Sequence, residues 1–235
     1  MSSHHRALVV GAGGLSSPVL RLLAKSRIGH VTIVDDDSVD ESNLHRQTLY
    51  TDADVGRSKI ERAKAAVLAI RPALSVDTVE GRFLPDTALS LLSEHTMVLE
   101  GADNLATKFL VADAAHIARV PAVQAGAVRW AGWAFCAVPG AACLRCLFED
   151  IPSYRIETCA EAGVIGPVVG VLGALQAALA FRLLEGECPE GELWHYDALR
   201  GALRKTFVRR RRDCPLCNGE IQDLRVDRYT AACAA

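Results

Sequence analysis

The chain has 235 residues, half of them hydrophobic, so it can bury the core of one large domain. Its formal net charge of −2 excludes a general attraction to nucleic acid or anionic membranes, and we expect no direct DNA binding. The first residues lack the long apolar core of a signal peptide, which predicts a cytoplasmic protein.

Short apolar stretches alternate with amphipathic stretches along the first half of the chain. The apolar stretches predict five strands, which lie in "ALVV", "HVTIVDDD" ending at Asp35, "LSVDTVEG", "MVLEGADN", where a turn follows the strand, and "PAVQAGA". The other stretches predict helices from about Leu15 to Ile28, in "GRSKIERAKAAVLAIRP" up to Pro72, in "DTALSLLSEH" with a cap at Asp86, and in "ATKFLVADAAHIARV". This alternation predicts an α/β fold with a doubly wound, mostly parallel, Rossmann-like sheet.

The second half of the chain has a different pattern. The stretch "RWAGWAFCAV" alternates in polarity, and "ELWHYDAL" and "LRKTFVRR" look like a closing hairpin, so we predict an antiparallel C-terminal extension. The uncharged residues from Gly163 to Phe181 approach the length that spans a bilayer, about 20 residues. Because this segment contains Pro167 and several glycines, we favour a loop that enters a fully buried helix over a membrane span.

A glycine-rich loop lies between the first predicted strand and the first predicted helix. Gly11, Gly13 and Gly14 allow the backbone to approach phosphates, and the helix N-terminus supplies N–H donors. Asp35 follows about twenty residues later, at the spacing of a ribose-hydroxyl ligand. The pattern predicts nucleotide binding. NAD is one candidate ligand, but it would also require a second nucleotide half-site and hydride-transfer partners.

Cationic and amide side chains follow the ribose acid and favour a polyphosphate over NAD. Arg46 and Lys59 suit phosphate oxygens, and the Asn43 amide can orient them. Asp103 ends the fourth predicted strand, at the same edge of the sheet as the glycine loop, where an acid can hold phosphate-bound Mg²⁺. We therefore predict an ATP site. Its candidates beyond the glycine loop are Ser42, Asn43, Arg46, Lys59, Asp103 and Asn104.

The eight cysteines indicate a metal site instead of disulfides, because a cytoplasmic chain keeps its thiols reduced. Four of them form two Cys-x-x-Cys pairs, which predict a closed, structural zinc site; four free buried thiols are the alternative. Cys159 stands alone in the polar stretch "ETCAEAG", and spacing leaves open whether it is a nucleophile or a surface thiol. The predicted zinc ligands are Cys143, Cys146, Cys214 and Cys217.

Several stretches together suggest a family. In order they are "GAGGLSS", "VDDDSVDESNLHRQ", "DADVGRSKIERA", "GADN", "CLRC", "CAEAGVIGPVVGVLGALQAALAFRLL" and "CPLC". With them the chain resembles the ThiF/MoeB/HesA family of ubiquitin-activating-like adenylyltransferases. The resemblance implies a homodimer that uses ATP and Mg²⁺ to adenylate the C-terminal glycine of a small ubiquitin-like sulfur-carrier protein. That carrier then receives sulfur from a donor such as a persulfide protein.

The resemblance also implies the organisation of the chain and the roles of its residues. Residues 1–235 would form a single adenylation domain, with a nucleotide-binding half (1–127) and an antiparallel half (128–235) that holds the zinc knuckles and a crossover loop. Gly14 and Asp35 would bind the adenosine. Asp103 would serve the metal and the reacting carboxylate, and Cys159 would lie on the loop that crosses the active site. Phosphate contacts would come from Asn43, Arg46 and Lys59.

The sequence departs from the family pattern at several positions. Ser16 and His45 replace a usual glycine and a common glutamine, and Glu100 and Ala102 alter the usual Asp-Gly-Thr-Asp-Asn stretch. The residues before the first predicted strand do not match the family's N-terminal helix, whose arginine reaches the ATP of the partner subunit. We therefore expect weak ATP binding by the isolated chain until a carrier or another partner completes the site.

Two other functions are compatible with these motifs. One is a related enzyme that adenylates a different acceptor, such as a peptide in natural-product assembly or a modified tRNA base. The other is a scaffold that keeps the fold and the zinc without turnover, although Arg46, Lys59 and Asp103 are all present. Exchange of ATP with pyrophosphate in the presence of candidate carriers distinguishes these functions.

Overall fold

The computed structural model describes residues 4–152 and 163–230, and its strands form one eight-stranded sheet. The strands are β1 (Arg6–Val10), β2 (His30–Asp35), β3 (Ser75–Glu80), β4 (Met97–Glu100), β5 (Ala122–Val128), β6 (Ala131–Ala137), β7 (Glu192–Asp197) and β8 (Ala202–Phe207). Their order in the sheet is β3-β2-β1-β4-β5-β6-β7-β8. Strands β1 to β5 pair in parallel, and β6, β7 and β8 pair antiparallel with their neighbours, as predicted.

Alternate residues of β1 face two separate hydrophobic cores. Ala7 and Val9 belong to one core, and Leu8 and Val10 belong to the other. Because successive side chains of a strand point to opposite faces, the two cores lie on opposite faces of the sheet. The first face is covered by α1 (Ser16–Ala24), α2 (Lys59–Ile70) and α6 (Gly166–Leu184). The second is covered by α3 (Pro85–Ser93), α4 (Leu105–Ala118), α5 (Leu144–Phe148) and α7 (Asp227–Thr230). Helices on both faces confirm the doubly wound α/β fold.

Two predicted helix boundaries were wrong. Helix α1 ends at Ala24 instead of near Ile28, where the Ser26 hydroxyl donates to the Leu23 carbonyl and accepts the Ile28 N–H. Such side-chain bonds compete with the helical backbone. Helix α3 is not capped by Asp86, because it begins one residue earlier, at Pro85, whose fixed φ suits the first helical position.

Helix α6 packs on the sheet, but the prediction that it is fully buried was wrong. It contacts α1, β5 and β6, yet one stripe of small and apolar residues faces outward. By length and composition alone this helix could cross a membrane, and 44% of its most apolar window is buried inside the protein. The structure therefore uses α6 as a core helix with one exposed apolar face. We call this face the α6 stripe, which consists of Pro167, Val171, Ala174 and Ala178.

Candidate active site

Three loops meet at the carboxyl edge of the sheet, where the strand order reverses between β1 and β4. They are the glycine loop (Gly11–Gly14), the polar loop (Asp35–Gln47) and the Asp103 loop (Gly101–Asn104). A Cβ added to Gly11 would lie 3.3 Å from the Ala102 nitrogen, and one added to Gly101 would lie 2.6 Å from Ser16 Oγ. The Asp103 loop therefore rests directly against the glycine loop and the start of α1.

The predicted ribose ligand, Asp35, is bonded to the glycine loop. One carboxylate oxygen accepts the Ala12 N–H at 2.6 Å, and the other accepts the Asp37 N–H at 2.8 Å. Burial raises the pKa of Asp35, and these two N–H groups oppose that shift. The carboxylate thus holds the end of β2 against the loop that follows β1, which is the relationship that a shared nucleotide site requires.

Glycine is required at several positions here, either because φ is positive or because a neighbouring atom leaves no room for a Cβ. Gly11 has a φ of +88°, which side chains rarely adopt. A Cβ on Gly14 would lie 2.8 Å from Val169 Cγ1 of α6. A Cβ on Gly173 would collide with the Leu15 carbonyl, so α6 is packed directly against the backbone at the end of the glycine loop.

The polar loop brings Asn43 and Arg46 together. A short 3₁₀ turn at Glu41–Asn43 is capped by Asp40, which accepts the Ser42 N–H at 2.8 Å. One turn later, the Arg46 guanidinium donates to the Asn43 side-chain oxygen. The turn therefore places an amide and a guanidinium side by side, although the sequence alone does not show that they contact each other.

Lys59 is the first residue of α2 and is 5% exposed. Its ammonium group lies 2.7 Å from a carboxylate oxygen of Asp37 in the polar loop. The buried Tyr50 hydroxyl donates to the Ala12 carbonyl at 2.7 Å and lies 3.3 Å from the Lys59 carbonyl. Tyr50 thus joins the glycine loop to the start of α2. The sequence analysis missed Tyr50, because a single tyrosine after "RQTL" carries no signal of its own.

Gln47 is a second residue that the sequence analysis missed. It is 4% exposed, and its buried side-chain oxygen has no hydrogen-bond partner among residues 4–152 and 163–230. Its side-chain nitrogen would lie 3.8 Å from a Cβ added to Gly13. A buried amide next to the glycine loop indicates a place where a ligand or water completes the hydrogen bonding.

Asp103 is exposed at the mouth of the site, between two fixed residues. Asn104 caps α4, because its side-chain oxygen accepts the Thr107 N–H at 2.8 Å. Glu100 lies below the loop, and its carboxylate accepts the Ala102 N–H at 2.6 Å. Burial raises the pKa of Glu100, and Lys108 opposes that shift. Asn104 thus has a structural role in this loop, and its role as a nucleotide ligand stays a prediction. Cys159 lies outside the described residues.

The four predicted zinc ligands come together. Their Sγ atoms all lie within 4.8 Å of one another, and four of the separations are 3.5 to 3.8 Å. A tetrahedral site with Zn–S bonds of about 2.3 Å places its sulfurs about 3.8 Å apart. The donor set therefore fits a structural zinc ion. These ligands are Cys143, Cys146, Cys214 and Cys217.

Buried polar contacts attach this four-cysteine cluster, which we call the clasp, to the rest of the fold. Arg145, between the first two cysteines, is 1% exposed and makes two hydrogen bonds to the buried carboxylate of Asp113 on α4, at 2.8 and 2.9 Å. The Arg211 backbone N–H donates to Cys146 Sγ at 3.4 Å. Such N–H donors stabilise thiolate ligands from outside the metal shell.

An open groove of about 420 Å³ lies on the antiparallel part of the sheet. Ala131 pairs with Val128, the last residue of β5, and with Asp197, the last residue of β7. This part of the groove therefore lies at the same edge of the sheet as the glycine loop. Its polar lining includes His195, Asp197, Arg200, Arg204 and Thr206.

Comparison with known proteins gives a consistent result. The sequence profile of the ThiF family matches residues 2–217. The SAMP-activating enzyme E1 of Haloferax volcanii is 36% identical over 233 residues, which cover 97% of this chain and 86% of that protein. The sulfur carrier protein adenylyltransferase of Thermus thermophilus is 38% identical over 235 residues, with 96% and 87% covered.

Among solved structures, the crystal structure of Escherichia coli MccB with ATP superimposes with a TM-score of 0.79. The two chains are 24% identical, and the match covers 92% of this chain and 67% of that one. At this level of identity the similarity establishes the fold. It agrees with the continuous eight-stranded sheet described above.

Proposed function

The chain belongs to the ThiF family, and from that membership we propose that it uses ATP to adenylate the C-terminal glycine of a small ubiquitin-like sulfur-carrier protein. The observation that carries the proposal is the meeting of three loops at one sheet edge. These loops carry Asp35, the cations Arg46 and Lys59 at or next to the polar loop, and the exposed Asp103 carboxylate. This chemistry prepares the carrier for thiocarboxylate formation.

In the proposed reaction, a carboxylate oxygen of the carrier's terminal glycine attacks the α-phosphorus of ATP. A P–O bond forms, the bond to the β-phosphate oxygen breaks, and pyrophosphate leaves with the electron pair. The step needs no protein nucleophile. It needs the two anionic reactants brought into line and their charge offset, which positioning and fixed charges accomplish.

Each part of the candidate site has a role in this proposal. Asp35 binds the ribose, and the N–H groups of Gly13 and Gly14 face the phosphates. The Gly11 N–H donates to the Val34 carbonyl at 2.8 Å, so Gly11 contributes the tight turn that brings the loop to the phosphates. Asp103 would hold Mg²⁺, which would offset the charge of the phosphates and of the reacting carboxylate. The phosphate contacts come from Asn43, Arg46 and Lys59, and Ser42 is a further candidate for binding the nucleotide.

The carrier is proposed to approach along the antiparallel sheet. Its C-terminal tail would enter from the groove near Ala131 and Asp197, which lies at the same sheet edge as the Asp103 loop. After adenylation, the terminal sulfur of a persulfide donor attacks the acyl carbon, and AMP leaves with the electron pair. A thiolate then attacks the resulting acyl disulfide, which releases the thiocarboxylate and forms a new disulfide with the donor. Cys159 is the candidate for a covalent role in this second stage.

The assembly and the location of the protein are also part of the proposal. The α6 stripe is an apolar helix face without a partner in the described chain, and we assign it to the contact between two copies in a homodimer. The four-thiolate site implies a structural zinc ion, because four protein ligands leave no open position for chemistry. Reduced thiols suit a cytoplasmic protein.

Carrier-dependent exchange of labelled pyrophosphate into ATP tests the function. The matched substrates are a carrier that ends in free glycine and the same carrier with its C-terminal carboxylate amidated. We expect exchange only with the free carboxylate, because the amide cannot attack the phosphorus. Equal exchange with both carriers, or none with any glycine-terminated carrier, contradicts the proposal.

A further inference from the structure

Glu100 and Lys108 form a buried ion pair below the Asp103 loop. Glu100 is fully buried and Lys108 is 5% exposed. The ammonium nitrogen of Lys108 lies 3.1 and 3.0 Å from the two carboxylate oxygens of Glu100 and also donates to the Ala125 carbonyl. It lies 5.7 Å from the centroid of the Trp133 ring. Lys108 is therefore enclosed by protein groups and is not placed to bind a nucleotide.

Glu100 is fixed from several directions. Its carboxylate accepts the Gln124 amide at 3.3 Å in addition to Lys108, and its own carbonyl accepts the Gln176 amide of α6 at 2.7 Å. The same carboxylate also accepts the N–H of Ala102, two residues later in the chain, at 2.6 Å. The residue that ends β4 thus controls the path of the next two residues.

Asp103 follows directly on this fixed backbone. On its other side Asn104 is held by its capping bond to the Thr107 N–H, and the Lys108 N–H donates to the Asn104 carbonyl at 3.3 Å. The exposed carboxylate therefore projects from a short segment that is held at both ends. Glu100 fixes the end before Asp103, and the first turn of α4 fixes the end after it.

A buried ion pair contributes little net stability, because desolvation of the two charges offsets most of their attraction. Two apolar side chains of the same size would fill this space without that cost. An apolar residue at position 100, however, would leave the Ala102 N–H without its acceptor. The ion pair is therefore explained by the hydrogen bond that Glu100 gives the loop and not by a gain in stability.

We propose that Glu100 and Lys108 are positioning residues that fix the Ala102–Asp103 backbone and thereby hold the Asp103 carboxylate where adenylation uses it. Lys108 keeps Glu100 in place, Glu100 binds Ala102, and Ala102 sets the direction of the next residue. This inference rests on the proposed function for its catalytic consequence, while the geometry of the loop can be measured independently.

Two double variants separate positioning from stability. Glu100→Gln/Lys108→Met and Glu100→Leu/Lys108→Met both remove the two charges at nearly constant volume. Only glutamine retains an oxygen that can accept the Ala102 N–H. We expect kcat for pyrophosphate exchange to be on the order of 10- to 100-fold lower in the leucine variant than in the glutamine variant, as for a small misplacement of a reacting group. The KM for ATP should differ by less than about 3-fold, since Arg46, Lys59 and the glycine loop, which make most of the proposed ATP contacts, are unchanged.

Amide hydrogen exchange gives a second readout that needs no carrier. The Ala102 amide should be protected in the parent protein and in the glutamine variant, and should exchange quickly in the leucine variant. Equal protection of Ala102 in the two variants, or equal kcat values at matched thermal stability, overturns the inference. If the leucine variant does not fold, Glu100→Met/Lys108→Met takes its place, because methionine also lacks the acceptor and adapts to the cavity.

The two readouts keep this inference distinct from the function itself. A parent protein that is inactive with every carrier contradicts adenylation, and the Ala102 amide still decides whether the pair positions the loop. A conservative variant, Glu100→Asp/Lys108→Arg, keeps the charges, and its aspartate can accept an N–H two residues ahead. It should recover more of kcat than the leucine variant does.

Discussion

The ammonium group of Lys59 lies 2.7 Å from the Asp37 carboxylate, although Lys59 is almost fully buried. This ion pair fixes the Lys59 side chain at the start of α2, and the Tyr50 hydroxyl contacts the Lys59 carbonyl. The pair joins the start of α2 to the polar loop that follows β2 at the carboxyl edge of the sheet. The pair therefore supports the assignment of Lys59 as a phosphate ligand whose position is set before nucleotide binds.

Lys59→Ala should weaken ATP binding on the order of 10- to 100-fold, the effect of losing a hydrogen bond from a charged donor. Titration calorimetry with Mg-ATP measures the change. Lys64→Ala is the matched control, because Lys64 lies on the same helix but outside the three loops. If both variants bind ATP with equal affinity, Lys59 is not a phosphate ligand.

Asp103→Ala and Arg46→Ala should each lower carrier-dependent pyrophosphate exchange on the order of 100-fold, because each removes a charge that the transition state uses. Exchange rates under saturating ATP provide the measurement. Asp86→Ala removes an exposed carboxylate from the first turn of α3 and should retain the parent rate. A parent-like rate in both site variants would show that the active site has been assigned to the wrong residues.

Purified protein should contain about one Zn²⁺ per chain, as four thiolates complete a tetrahedral site. Cys214→Ser should lose the zinc and lower the melting temperature, because the ion joins two separate parts of the chain. Elemental analysis and thermal unfolding measure the two effects. Cys188→Ser is the control, since Cys188 is exposed and outside the cluster. A parent protein that is purified without zinc and is nevertheless stably folded would contradict the structural zinc site.

Stability should fall as the pH drops below about 6.5, because of two buried histidines on the amino side of the sheet. His95 Nδ1 donates to the Leu91 carbonyl at 2.6 Å, so its Nε2 accepts from the Thr32 hydroxyl at 2.7 Å. His30 Nε2 then donates to that hydroxyl at 3.0 Å. This arrangement fits two neutral rings, which burial favours against the Asp77 carboxylate 3.4 Å from His30 Nε2. Burial lowers both pKa values from 6.5, and the unfolded chain takes up protons more readily.

The expected loss of unfolding free energy is at most about 1.4 kcal/mol per pH unit for each histidine, and it should be absent above pH 7. Urea unfolding between pH 8 and pH 5 measures it. His95→Gln should flatten the profile, and His195→Gln, at an exposed position, should leave it unchanged. A parent profile with no decline below pH 6.5 would contradict the neutral pair.

Cys159→Ala should leave pyrophosphate exchange close to the parent rate, because formation of the acyl-adenylate uses no protein thiol. It should reduce thiocarboxylate formation on the carrier, which mass spectrometry measures after addition of a persulfide donor. Cys188→Ala is a matched single-thiol control. Normal thiocarboxylate yield in the Cys159 variant would remove this cysteine from the pathway, and loss of exchange would contradict the proposed separation of the two stages.

The sequence predicts the elements better than it predicts their contacts. The strand and helix order was correct because period and turn signals are local, and the four clasp cysteines were identified by spacing. The predicted helix boundaries were wrong where a single side chain determines the end of the helix, as Ser26 and Pro85 do. Burial of α6 was misjudged because a uniformly apolar helix gives no periodicity that would distinguish its outward face.

The residues missed in the candidate site share a physical reason. Gln47, Tyr50 and Lys108 are buried polar residues whose surroundings are set by the fold, and residues of these types also occur in surface loops. Their importance depends on burial, which sequence patterns do not report for isolated polar positions. Departures from the family pattern were visible at Glu100, but its effect on Ala102 became visible only in three dimensions.

Helix α6 packs against the glycine loop on one side and exposes the α6 stripe on the other, so it connects the proposed nucleotide site to the proposed dimer contact. Two binding events are thermodynamically linked when one changes the conformation that the other requires, and such linkage is reciprocal. If ATP binding moves the Leu15–Gly173 contact, dimer affinity changes by the same factor as ATP affinity changes on dimerisation. Apparent ATP affinity would then depend on protein concentration, and measurements made at different dilutions would not agree.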